Sequence, residues 1–163
     1  MRMSLFVAVL RVLIVAIVVA APWVAVRAAD EGPPRGAAAD PLSAAREQIK
    51  ARQWSAALAE LQRVNATSSA DWQNLMGYVQ RKSSPPDLDA AERYYREALR
   101  IDPRHRGALE YSGELYLMKG DLARAEQQLA ALDKACFIGC EEYTDLKKAV
   151  ARYKAAGHWV AEE

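Results

Sequence analysis

Cys136 and Cys140, in the stretch CFIGC, are the only two thiols of the 163-residue chain and the side chains best placed for covalent chemistry. In an oxidising compartment a disulfide is their first reading. A continuous helix would hold the pair too far apart to bond, so Gly139 between them marks a turn that lets them meet. A redox-active or thiol-exchanging pair is the alternative, and metal ligation a third. The spacing is neither Cys-x-x-Cys nor a haem-attachment motif. His105 and His158 stand apart from any Cys, Ser or carboxylate cluster in recognisable order, so each reads as a solvated loop or tail histidine. Glu141 and Glu142 read as the acidic first turn of a helix, where the dipole favours negative charge. Trp72, Tyr94, Tyr95 and Tyr111 could stack a ligand, but packing between helices is the commoner use of such residues. There is no phosphate-binding glycine loop and no paired metal motif. The expectation is a binding protein and not an enzyme, with no catalytic residue, no metal and no cofactor.

The elements that must carry these residues show in a repeated pattern. Trp54, Ala57, Leu61 and Val64 share one stripe of a helix; so do Leu88, Ala91, Tyr95 and Ala98, and then Leu122, Ala125, Leu129 and Leu132, each set 34 residues after the last. A stripe repeated at a fixed longer period implies stacked copies of one unit, none able to bury its apolar face alone. Asp40-Pro41 reads as an N-cap followed by proline at the first helical position. Asp87 and Asp121 read as caps of the helices that follow them, and Gly120 as a left-handed helix end. A last helix, Glu141 to Lys154, places Tyr143, Leu146, Val150 and Tyr153 on one face, as a cap over the final unit requires.

These residues resemble the tetratricopeptide repeat (TPR) family. Its signature is similar to Trp72, Leu75, Ala91, Tyr95, Ala98 and Pro103 in one unit, and to Leu109, Gly113, Tyr116, Gly120, Ala125 and Leu129 in the next. The first unit is worn, keeping Ala45 and the Trp54 stripe. Met76 stands where the family has glycine, Ser83 to Pro86 lengthen the second unit's turn, and Phe137 replaces the expected proline. The resemblance implies an all-α right-handed superhelical stack of helix-turn-helix repeats with a C-terminal capping helix. Its expected divisions are 41–66, 69–103 and 104–135 for the repeats and 140–156 for the cap.

The resemblance also implies a groove on the first helices for a peptide or another protein's surface. Its lining residues map to Arg46, Ile49 and Lys50, then Gln73, Gln80 and Arg81, then Glu110, Glu114, Leu117 and Met118, basic at one end and acidic at the other. Glu110 and Glu114 beside Leu117 would meet a Lys or Arg next to an apolar anchor. The family's carboxylate clamp is echoed only by Asn74 and scattered basic residues. Alternatively these charges simply solvate the face.

Residues 1–28 read as a secretory signal peptide: Arg2 and Arg11 flank apolar stretches, and Val26-x-Ala28 supplies the small-residue cleavage rule. An uncleaved anchor in the inner membrane, facing the periplasm, is the alternative, and would be the chain's only membrane contact. Residues 29–40 read as a flexible Pro/Gly/Ala linker. Cleavage removes Arg2, Arg11 and Arg27 and no acid, taking the net charge from +1 to −2. Without a basic excess, nucleic acid is not an expected partner. Two functions follow: an exported, periplasmic adaptor that binds a peptide or partner protein, or a thiol-dependent assembly or maturation factor working through Cys136 and Cys140.

Overall fold

In a computed structural model, the described residues 40–161 form helices α1 (Ser43–Lys50), α2 (Trp54–Val64), α3 (Ala70–Lys82), α4 (Leu88–Ile101), α5 (Arg106–Met118), α6 (Leu122–Ala135) and α7 (Glu141–Ala156). No strand occurs among them. The signal-peptide expectation for 1–28, and all but the last residue of the linker 29–40, lie outside the described residues.

The three stripes of equal spacing become α2, α4 and α6, and each is buried where it is narrowest. Ala57, Leu61, Ala91, Tyr95, Ala98, Ala125 and Leu132 have no exposed surface. Small residues at 57, 91 and 125 let neighbouring helix axes approach, since a longer side chain there would hold them apart. Turns of three residues between α1 and α2 and between α5 and α6, and of five between α3 and α4, fold the chain back so that each pair packs together. Successive pairs join through α2 on α3, α4 on α5, and α6 on α7, and α5 also packs on both α3 and α7.

The core follows this order. One cluster joins Leu42 and Ala45 to Ala57, Leu61, Trp72, Leu75, Met76 and Val79. Another joins Leu109, Tyr116, Leu117, Ala125 and Leu132 to Leu146, Ala149 and Val150 of the last helix. Ala91, Tyr95 and Leu115 form a third. Each fully buried large apolar side chain contributes about 1.5–3 kcal/mol, so the stack is held mainly by contacts between helices and not within them.

Helix ends are tied by side chains. Asp87 accepts from the Ala90 amide at 2.8 Å, Asp121 from Arg124 at 2.9 Å and Ser69 from Trp72 at 3.3 Å. Gly120 takes the left-handed conformation, at φ 79°, that ends α5. Asp40 is not the N-cap expected, since α1 begins only after Leu42: its carboxylate accepts from the Leu42 amide at 2.9 Å and its carbonyl from Ser43, so Pro41 lies in a turn before α1. Cys136 and Cys140 form a disulfide with Cα atoms 5.8 Å apart, and Gly139 between them has φ 58°. The helix has stopped at Ala135, which is what brings the thiols together. Among the described residues no helix is long and apolar enough to cross a membrane.

Candidate functional site

Arg81, near the end of α3, is 4% exposed and therefore needs a partner charge. It finds one on the next pair of helices, where its Nη1 donates to Glu114 Oε2 at 2.5 Å. The guanidinium also lies 5.5 Å from the Tyr78 ring centre and 5.4 Å from that of Tyr111, positions in which the ring faces stabilise a cation. Tyr78 and Tyr111 are themselves 4.8 Å apart, and Tyr111 reaches the buried Tyr95. One cation and three aromatic rings thus tie α3, α4 and α5 together.

Glu110 lies one turn before Glu114 and is only 9% exposed. Burial pushes its carboxyl up to about 8, helped by the negative charges of Glu114, Asp145 and Glu142 and opposed by Arg81. At neutral pH Glu110 therefore holds a proton. Glu114 is bound to Arg81, Glu142 contacts Arg106 at 3.5 Å and Asp145 contacts Lys148 at 3.1 Å. The acidic end of the face is accordingly muted: one carboxyl is neutral and the others have cations beside them.

The other end is aromatic and basic. Arg52, Trp54, Tyr78 and Lys82 surround a cleft of about 270 Å³. A second opening of about 510 Å³ shares Arg52 and Trp54 and adds Gln53, Ser55, Ala56, Ser83 and Ser84. Trp54 meets Tyr78 edge-on at 6.2 Å, and the Lys82 ammonium lies 5.8 Å from the Tyr78 ring. An aromatic wall with cations at its rim can hold an apolar side chain and an adjacent carboxylate together.

The groove residues expected from sequence fall into distinct environments. Lys50 is exposed and joined to Glu47, while Arg46 bridges Asp40 and Asp71. Gln73 is buried and donates to the Thr67 carbonyl at 2.7 Å, so it fastens the turn before α3. Gln80 is half-buried. Leu117 corrects its expectation: it has no exposed surface and belongs to the core with Leu132 and Leu146, so it offers a partner's apolar anchor no surface beside Glu114. The four aromatic candidates take the packing role. Trp72 donates to the Leu61 carbonyl at 2.7 Å and packs on Tyr94, and Tyr95 is wholly buried.

His105 also departs from expectation. It is not a solvated loop residue but the cap of α5: Nδ1 accepts from the Ala108 amide at 3.1 Å and Nε2 lies 2.9 Å from Asp71. An acceptor role at Nδ1 places the proton on Nε2, facing the carboxylate. Tyr78 and Arg52 carry no signal in the sequence, and Trp54 shows there only as part of a stripe, whereas the Asp71–His105 and Arg81–Glu114 pairs span 34 and 33 residues, close to the repeat period. Sliding the sequence against itself by one repeat sets Asp71 opposite His105 and Arg81 opposite Leu115, one residue from Glu114. No group of His, Cys, Asp and Glu among the described residues could hold a metal ion. Compared with models of known protein families and with curated proteins, the chain finds no match.

Proposed function

We propose that the chain is a non-catalytic adaptor of the tetratricopeptide type, exported to the periplasm, that receives an extended segment of a partner protein on the side formed by its first helices. The stacking of short-turned helix pairs at a period of 34 residues supports the repeat reading. The observation that carries the binding reading is the cleft at Arg52, Trp54, Tyr78 and Lys82, because it joins open volume, aromatic surface and positive charge. With the Glu110 end neutral or ion-paired, the chemistry favours an acidic segment bearing an aromatic or aliphatic residue over a basic one. Full-length protein titrated with acidic, neutral and basic peptides of equal length tests this. The acidic peptides should bind best, weaken as salt rises, and lose about tenfold affinity in Trp54→Ala. Equal binding of all three sets, or indifference to Trp54→Ala, rejects the cleft.

A further inference from the structure

The loop that closes the last repeat has no role in that cleft. Phe137 is 98% exposed and Ile138 85%, and they sit side by side at the apex of the five-residue loop 136–140. A single exposed apolar residue is ordinary, but two adjacent large ones held almost entirely in water are a standing cost, and patches of this kind mark contact sites. The loop is also held firmly at its base. The disulfide closes it, Cys136 packs against the core shared by α5, α6 and α7, and Arg104 Nη2 reaches the carbonyls of Lys134 and Ala135 at 3.4 Å each.

We propose that this loop is a docking tip whose Phe137 and Ile138 enter an apolar socket of fixed shape on a partner protein. A covalently closed loop has already lost the freedom it would otherwise lose on binding, an advantage only against a surface of fixed shape. A fluid bilayer sets no such shape, and one small apolar anchor gives only marginal membrane attachment unless a basic patch supports it. The exposed charges beside the tip are Asp133, Lys134 and Glu141, with Arg104 at its base, two of each sign, so no basic excess is there to hold the loop to anionic lipid. Phe137 supplies the buried aromatic around which such interfaces concentrate their energy.

The test places a photoreactive benzophenone side chain at position 137, and at the exposed Lys147 as a control, in full-length protein made in its native cells. The partner crosslinked from 137 but not from 147 is then purified and titrated with the unmodified chain. The joint variant Phe137→Ser, Ile138→Ser should bind that partner about tenfold or more weakly with an unchanged melting temperature, since neither residue is packed. Cys136→Ser with Cys140→Ser should weaken binding less, by a few-fold, through lost preorganisation. Phospholipid adducts, or co-sedimentation of the chain with vesicles of phosphatidylcholine and phosphatidylglycerol that Phe137→Ser abolishes, would overturn the proposal in favour of a membrane. Adducts between two copies of the chain, or a partner that binds the double serine variant undiminished, would overturn it as well.

Discussion

At the scale of single residues, the Arg81–Glu114 pair and Glu110 make one coupled set. Arg81 is stabilised by Glu114 and the two tyrosine rings, whereas Glu110 has no cation bonded to it among the described residues and stays in place by remaining protonated. Its carboxyl titrates near 8 in the folded chain against an ordinary 4.5, so between those values the folded state holds a proton that the unfolded state has released. Stability from this group is fully present below 4.5 and is lost as pH rises through about 8. Glu110→Gln keeps the shape and the neutral form at every pH. Thermal melts across this window should show parent and variant alike near the acidic end and the variant more stable by on the order of 2–4 kcal/mol at the alkaline end, a separation of several degrees. Parallel melting curves at all pH values would mean that Glu110 is ionised and solvated. The sequence offered Glu110 as a surface charge because spacing places it on a helix face; it cannot show that α7 brings Glu142 and Asp145 to the same place.

At the scale of helices, two glycines set how closely axes approach. A Cβ on Gly77 would stand 2.7 Å from the Tyr95 ring, and one on Gly113 2.5 Å from Leu146. Both neighbours are fully buried, so neither can swing away. Gly77→Ala and Gly113→Ala should each lower stability by about 1–3 kcal/mol despite alanine's better helix propensity, as measured by denaturant midpoint. A gain in stability from either would show the helices free to separate. Gly113 is visible in the sequence through its place in the repeat signature; Gly77 is not, because the chain puts Met76 at the signature position and the close contact one residue later. The helices themselves were largely legible, since each stripe is local and its caps Asp87 and Asp121 adjoin it. What escaped was tertiary: the Trp54–Tyr78 cleft and the His105–Asp71 contact join residues from different helices, and no local helical pattern records them.

At the scale of the whole molecule, the described chain has separate clusters in sequence order, so its ends depend on different elements. The cluster around Leu61 and Trp72 uses α1 to α3, and the one around Leu132 and Leu146 uses α5 to α7. In such a stack each unit is stabilised mainly by its neighbours, and an end without its cap exposes the face the cap had covered. The disulfide and α7 therefore differ in what they support. The bond closes only the short loop before α7, so reducing it should cost at most about 2–3 kcal/mol and leave the helices folded. A chain ending at Cys140 keeps both cysteines but lacks Leu146, Ala149 and Val150, leaving Leu109, Tyr116 and Leu132 without their cover. Amide hydrogen exchange on this truncated chain should show protection lost first in α5 and α6, with α2 and α3 retaining most of theirs, alongside a tendency to aggregate through the uncovered face. Uniform loss of protection would mean that the clusters form one cooperative unit. Unchanged protection in α5 and α6 would mean that α7 is an appendage and not a cap.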